Sequence, residues 1–218
     1  METYTKIEAI FERDNITKKT IKGQYWNKTV ELLKDIQWFG TEKIDGINIR
    51  IHWDGYRVAI SGRNDDAQIT PKLLEYLQET FNCHELFEQK FGEKEVTLFG
   101  EGYGRKVNGN YLNKEDNGFI LFDIYSQGIY WNRKAVESIA TYFNIPIVPI
   151  VKIGTLDEMV EMVENGFNSK LNPDVLAEGI VAKPTEELRT NNGNRVITKI
   201  KYRDLHEKKA RVKTNEHN

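Results

Sequence analysis

Residues 43–60 read KIDGINIRIHWDGYRVAI, and the second half of that string decides the fold class. Ile47, Ile49, Ile51 and Trp53 recur at every second position, the spacing that puts side chains on one face of an extended strand. Asp54-Gly55 then offers a turn, and Tyr56, Val58 and Ile60 resume the alternation, so the stretch predicts a β-hairpin with one buried face. Lys43-Ile44-Asp45-Gly46 stands directly before it, where a strand leaves a loop. Lys43 and Asp45 point to the same side of an extended backbone, and Gly46 lets that backbone approach a ligand closely. Taken alone, a Lys-x-Asp-Gly string marks a surface strand end more often than a site.

Outward from the hairpin, residues 71–91 carry Leu73, Leu74, Leu77, Phe81 and Phe87 at helical intervals, which predicts one or two helices. Residues 96–99, 119–125, 147–150, 178–183 and 196–201 are rich in β-branched and aromatic side chains and read as strands. Asn132 can cap a helix running to about Phe143, and Thr155 with Glu158 has the spacing of a capping box. Asn191-Asn192-Gly193 reads as the turn between the last two strands. Hairpins with interspersed helices give an α+β class with largely antiparallel sheets flanked by helices.

The 218 residues suffice for one sizeable domain, and no linker or repeat divides them, so a single domain over 1–218 is expected. Hydrophobic residues at 39% and charged residues at 29% exclude disordered and fibrous chains. No apolar run approaches the roughly 20 residues that span a bilayer, and the start lacks a secretory signal's apolar core, so a cytoplasmic protein is expected. Cys83 is the only cysteine, which rules out an intrachain disulfide and a multi-cysteine zinc site. His52, His84, His206 and His217 show no metal-ligand spacing. Trp26, Trp38, Trp53 and Trp131 read first as core residues rather than stacking platforms. The net charge of -2 hides a basic end, in which Arg195, Lys199, Lys201, Arg203, Lys208, Lys209, Arg211 and Lys213 face only Asp204 and Glu207. That end is equally a solvated helix or tail and a surface for phosphates.

The later strands change the weight of Lys43. In chain order come Ser61-Gly62-Arg63-Asn64, then Leu98-Phe99-Gly100-Glu101-Gly102-Tyr103-Gly104, then Phe119-Ile120-Leu121-Phe122-Asp123-Ile124-Tyr125. Glu178-Gly179-Ile180-Val181-Ala182-Lys183-Pro184 and Ile197-Thr198-Lys199-Ile200-Lys201-Tyr202 follow. This ordered series, from Lys43 to Lys201, resembles motifs I, Ia, III, IIIa, IV and V of the covalent nucleotidyltransferases, the superfamily of polynucleotide ligases and mRNA capping enzymes. Within it the chain is most similar to the ATP-dependent RNA ligases of phage type, also in its opening Tyr4-Thr5-Lys6-Ile7 and in residues 63–69. One departure is Ile47, where such ligases place Thr before the residue equivalent to Asn48.

The resemblance implies an ATP-grasp-like nucleotidyltransferase domain in which Lys43 takes AMP from ATP, passes it to an RNA 5′-phosphate, and so allows sealing to a 3′-hydroxyl. It implies Mg²⁺, with Mn²⁺ as a substitute, RNA with 5′-phosphate and 3′-hydroxyl ends as partner, no membrane or obligatory protein partner, and a host cytoplasm if phage-encoded. Arg63 and Asn48 then bind ribose or phosphate, Arg supplying a fork of donors. Glu101 holds ribose hydroxyls or assists a metal, Phe122 stacks on the purine, and Glu42 and Ile44 flank the nucleotide beside the lysine. Asp45, Glu101 and Glu178 help organise the metal through oxygen ligands or water.

Lys199 and Lys201, two apart on a strand, present both ammoniums to one side, where they neutralise charge on a triphosphate. Lys183 is implied as a nucleotide contact, although its distance of five positions from Glu178 puts the two on opposite faces of a regular strand. Gly100, Gly102 and Gly104 lack the Lys-Ser/Thr of a phosphate loop and more simply permit a bend beside Glu101. Rival readings are a GTP-using capping guanylyltransferase, a DNA ligase and a nucleotide- or RNA-binding module without turnover. The seventeen residues after Lys201 are too few for an OB-fold or other C-terminal domain, so a stand-alone catalytic domain, or one trimmed from a longer chain, is expected.

Overall fold

The computed structural model describes residues 2–104, 107 and 116–206. In chain order the elements are β1 (Phe11–Arg13), β2 (Thr20–Tyr25), α1 (Lys28–Leu32), β3 (Trp38–Glu42), β4 (Ile47–Trp53), β5 (Val58–Ser61), α2 (Pro71–Phe81), α3 (His84–Phe91) and β6 (Val96–Tyr103). They continue with β7 (Gly118–Ser126), β8 (Ile129–Tyr130), α4 (Arg133–Tyr142), β9 (Ile150–Gly154), α5 (Leu156–Asn165), β10 (Gly179–Pro184), β11 (Thr198–Lys201) and α6 (Tyr202–Leu205).

Every strand ladder is antiparallel, in three sheets: a β1-β2 ribbon, a four-stranded sheet ordered β11-β10-β3-β9, and a five-stranded sheet ordered β5-β4-β6-β7-β8. Each large sheet has its own core. Ile49, Ile51 and Trp53 of β4 pack with Leu98 of β6 against Leu73, Leu77, Phe81 and Phe87 of α2 and α3. Trp38 of β3, with Ile180 and Ala182 of β10, packs against Leu156, Met159 and Val163 of α5. Burying each of these large side chains is worth roughly 1.5–3 kcal/mol.

The hairpin forms as expected, with Asp54 Oδ1 accepting the Tyr56 and Arg57 N–H groups to hold its turn. Its second face is not solvated: Arg50 and His52 of β4 are buried as well. Both anticipated caps are present, Asn132 accepting the Ala135 N–H and Thr155 and Glu158 completing a capping box. The strand expected at 147–150 runs instead over Ile150–Gly154, with Ile147 making only an isolated bridge to Leu121. Trp38 and Trp53 are core residues, whereas Trp26 is 42% exposed. Of the basic C-terminal end, Lys208, Lys209, Arg211 and Lys213 lie outside the described residues, as do Glu207 and His217. Among the described residues no helix is long and apolar enough to cross a membrane.

Candidate active site

Residues 43–46 carry the chain from β3 in one large sheet to β4 in the other, so Lys43 stands at the crossing between them. Its backbone N–H donates to Gly179 O at 2.9 Å, which fixes the crossing to the start of β10. Its ammonium lies 2.6 Å from Glu178 Oε2, and Lys201 Nζ lies 2.6 Å from Glu178 Oε1. One carboxylate thus holds two ammoniums. Gly46 does allow a close approach, and the neighbour it admits in the protein is β6: a Cβ there would collide with Gly102 O.

A pocket of about 230 Å³ opens between the sheets at this crossing. Thr41, Glu42, Val181, Lys183 and Lys199 come to it from the four-stranded sheet, and Asn48, Glu101, Phe122 and Asp123 from the five-stranded one. Lys43, Ile44 and Arg63 complete the wall, so eight of the site residues expected from sequence are gathered in one cavity with Lys43, while Asp45, Glu178 and Lys201 lie outside its lining. Glu42 is buried, and its Oε2 accepts the Lys170 N–H at 2.9 Å. Ile44 packs on Ile120 and Val148. Lys183 and Glu178 serve the same site despite their spacing, because Gly179 between them has φ +148°, outside regular strand geometry. The Asn48 Oδ1 is buried without a hydrogen bond among the described residues, an unmet acceptor in the pocket wall.

The electrostatics point to a site short of positive charge at one end and short of negative charge at the other. Burial pushes the Glu101 carboxyl up to about 7, helped by Glu178 and Asp45 and opposed by Lys43 and the Gly46 N–H. Burial also lowers the Lys199 ammonium, and Lys201 and Lys43 push it the same way. A nucleotide with its counter-ion would relieve both, since phosphates would face Lys199 and a cation or ribose hydroxyls would face Glu101. Among the described residues no group of three or more His, Cys, Asp or Glu side chains can hold a metal ion by itself. Asp45 and Glu178 are each close enough to raise the Glu101 carboxyl, yet Glu178 is engaged by two lysines. That donor set fits a hard cation carried mainly by phosphate oxygens and water, with Glu101 and Asp45 beside it.

Two residues assigned no role from sequence, Asp123 and Arg50, shape the site. Asp123 is fully buried, and its carboxylate takes Lys183 Nζ at 2.5 Å, Arg195 Nη1 at 2.7 Å and the Tyr4 hydroxyl at 2.6 Å. Burial alone would raise this carboxyl, but Arg195 and Lys183 reverse the sign and hold it well below the usual carboxylate range. Phe122 and Asp123 both reach the pocket although they are adjacent, because the β6–β7 register slips between Phe99 and Gly100. Phe99 pairs with Asp123 and Gly100 with Leu121, which leaves Phe122 as the extra residue of a bulge. Arg50 is buried beneath the pocket rim, where Nε donates to Gly62 O at 2.7 Å, Nη2 to Asp65 at 2.6 Å and Nη1 to Glu2 O at 3.3 Å. It ties the turn carrying Arg63 to the N-terminal segment, whose Tyr4, Thr5, Lys6 and Ile7 form one pocket wall.

A lysine at the crossing of two antiparallel sheets, facing a pocket of carboxylates, cations and an aromatic side chain, defines a nucleotidyltransferase fold. Residues 36–201 match the RNA ligase family, about three quarters of the chain, and the chain belongs to that family. No curated protein matches its sequence. Among solved structures, a mutant RNA ligase of Naegleria gruberi with ATP and Mn superposes with a TM-score of 0.69 at 21% identity, over 94% of this chain and 58% of that one. The same ligase with PPi gives 0.65 at 22% identity, over 94% and 63%, and another mutant with AMP and Mn gives 0.64 at 20%, over 91% and 56%. The chain therefore spans about three fifths of the length of those ligases, and at this identity the likeness concerns the fold.

Proposed function

We propose that this chain is an adenylyltransferase of RNA end joining, in which Lys43 becomes covalently attached to AMP. The observation that carries the reading is the position of the Lys43 ammonium, hydrogen-bonded to Glu178 at the mouth of a pocket holding Arg63, Glu101, Phe122, Lys183 and Lys199. A surface lysine would have no need of that company. The pairing of Glu178 with both Lys43 and Lys201 keeps the nucleophile at a fixed place, and Glu178 is the nearest acceptor for the proton the ammonium must lose.

The neutral Lys43 amine attacks the α-phosphorus of ATP. A nitrogen–phosphorus bond forms, the bond from that phosphorus to the bridging oxygen breaks, and pyrophosphate leaves with the electron pair. Lys199 and Lys201 face the departing charge. In this reading Asn48 Oδ1 and Glu101 accept from ribose hydroxyls, Arg63 donates to ribose or phosphate oxygens and Phe122 stacks on the base, which their shared lining of the pocket and the unmet Asn48 acceptor support. A divalent cation bound with the triphosphate, Mg²⁺ or Mn²⁺, would screen its charge and ease the departure of pyrophosphate. An oxygen of an RNA 5′-phosphate then displaces Lys43 from the AMP phosphorus, and a 3′-hydroxyl displaces AMP from the activated end.

Intact mass spectrometry after mixing with each of the four nucleoside triphosphates and Mg²⁺ tests the first step. The expected result is an AMP adduct with ATP that Lys43→Ala lacks. An unchanged adduct in that variant would sink the nucleophile assignment, and an adduct formed with GTP alone would point to a capping-type guanylyltransferase. Sealing assays on nicked RNA, RNA–DNA hybrid and DNA duplexes separate the ligase readings, and sealing confined to DNA overturns the RNA assignment.

A further inference from the structure

Beyond the nucleotide pocket lies a second, larger cavity, a groove of about 490 Å³ between the β1-β2 ribbon and the β11–α6 corner. Lys199 lines both cavities, so the groove adjoins the pocket at β11. Its walls carry Arg13, Lys199, Lys201 and Arg203 against Glu8, Glu12 and Asp204. The acids are engaged locally: Glu8 pairs with Lys6 at 2.6 Å, Asp204 with Arg13 at 2.8 Å, and Glu12 accepts from Gln24. Lys199 makes no ion pair among the described residues, and Arg203, whose Nε lies 3.8 Å from the Asp204 oxygen already taken by Arg13, keeps a side chain 78% exposed. The unbalanced charge of the groove is therefore positive.

Trp26 closes the groove at its other side. Its backbone N–H is fixed to Ile10 O at 3.1 Å, while its ring is 42% exposed. Trp38 and Trp53 are buried, and each donates its indole N–H to a backbone carbonyl, Leu33 O and Gly92 O respectively. Among the described residues Trp26 has neither feature. A large ring held by its backbone beside a cationic groove is the arrangement on which nucleic-acid bases stack.

Phosphoryl chemistry supplies the reason for a groove at this end. Displacement at phosphorus runs with attacking and leaving groups roughly in line. When Lys43 attacks ATP, pyrophosphate leaves from the side opposite the lysine. When the lysyl-AMP bond is broken, the incoming phosphate must approach from that same side. The site vacated by one polyanion has to admit the end of another, and pyrophosphate alone has no use for an indole.

We infer that the groove seats the 5′-phosphorylated end of a single RNA strand, with its phosphates along Lys199 and Arg203 and its terminal base stacked on Trp26. The assignment rests on the reading of Lys43 as the adenylylated residue.

The test uses the full chain, loaded with AMP as verified by intact mass and then mixed with a 5′-phosphorylated oligoribonucleotide while AMP transfer to the RNA is followed. Trp26→Leu should raise the oligonucleotide concentration giving half-maximal transfer by about tenfold, the scale of one lost base–aromatic stack. It should do so far beyond any change in adduct formation, and Trp26→Phe should recover most of the loss. Oligonucleotide binding should also quench tryptophan emission in the parent and not in Trp26→Phe. Equal half-saturation in parent and Trp26→Leu overturns the groove assignment, as does a loss confined to adduct formation. If the parent forms no adduct, the reading beneath it fails instead, and the two failures are told apart at the loading step.

Discussion

Glu178 Oε2 accepts a hydrogen bond from Lys43 Nζ at 2.6 Å while its other oxygen holds Lys201 at 2.6 Å. The proposed nucleophile and Lys201 are thus spaced by one carboxylate. Removing it leaves two partly buried ammoniums facing each other with nothing between them, and a displacement of about 1 Å at a reacting atom can cost roughly 10²-fold in rate. Glu178→Ala should therefore slow lysyl-AMP formation by roughly 10²-fold with the fold intact, and Glu178→Gln, which keeps one hydrogen bond, should fall between. Single-turnover adduct formation measures it; a rate within a factor of about two of the parent in Glu178→Ala would remove Glu178 from the machinery.

Glu101 gives a pH-dependent signature. Its carboxyl rises from an ordinary 4.5 to about 7 in the folded protein. Between those values the folded chain holds a proton that the unfolded chain has released, so stability falls as pH rises through this window and levels off above it. Glu101→Gln removes the titration and should stabilise the ligand-free protein above pH 7 by at most about 3 kcal/mol. It should also depress adduct formation by roughly 10²-fold. Thermal melts of parent and variant at intervals from about pH 4 to pH 8 test the first part: the gap in Tm should widen with pH. A gap that stays constant would mean that Glu101 does not titrate in that range.

What was legible in the sequence was whatever depends on near neighbours. The Asp54-Gly55 turn, the Asn132 cap and the Thr155–Glu158 capping box are local chemistry, and all three form where they were expected. β3 was invisible because all five of its residues are buried, which erases the period of two. Asp123 escaped notice because a bulge breaks the alternation at Phe122, and its partners Tyr4, Lys183 and Arg195 lie 60 or more residues away in the chain. Glycine at 46 was read correctly as a close approach, but only the fold could show that the close neighbour is Gly102. The assembly of Lys43, Glu101 and Lys199 in one pocket follows the ordered motifs, while the groove had only the basic residues Lys199, Lys201 and Arg203 as a signal, and Trp26, read as core, is exposed beside it.

Asp123 anchors three groups at once, and two of them are cationic. Asp123→Asn leaves Lys183 and Arg195 buried without their shared counter-charge, the case in which breaking a buried pair costs about 3–5 kcal/mol. Its contribution has the opposite pH sense from that of Glu101. A carboxyl held below its ordinary 3.8 stabilises the fold above that value and loses the effect as pH falls through the acid range. The parent should lose stability more steeply than Asp123→Asn on acidification below about pH 4, with the variant less stable by about 3–5 kcal/mol at neutral pH. Urea unfolding at a series of pH values decides this, and a neutral-pH loss of less than about 1 kcal/mol would show that the cluster tolerates the missing charge.

Arg50 touches none of the pocket's interior, yet it holds the turn next to Arg63 through Gly62 O at 2.7 Å and Asp65 at 2.6 Å, and reaches the N-terminal segment at Glu2 O. A buried guanidinium making three such bonds is there to fix two coil segments relative to one strand, because one lysine ammonium could not span all three acceptors. Arg50→Met should release the turn, so that the ATP concentration giving half-maximal adduct formation rises about tenfold or more, on the scale of a lost charged hydrogen bond. The rate at saturating ATP should fall less, since Lys43 and Glu178 stand on other elements. Arg50→Lys should recover only part of the ATP affinity. Measuring KM and kcat for adduct formation alongside Tm separates positioning from support of the fold. A variant with lowered Tm and unchanged KM would show that Arg50 serves stability alone.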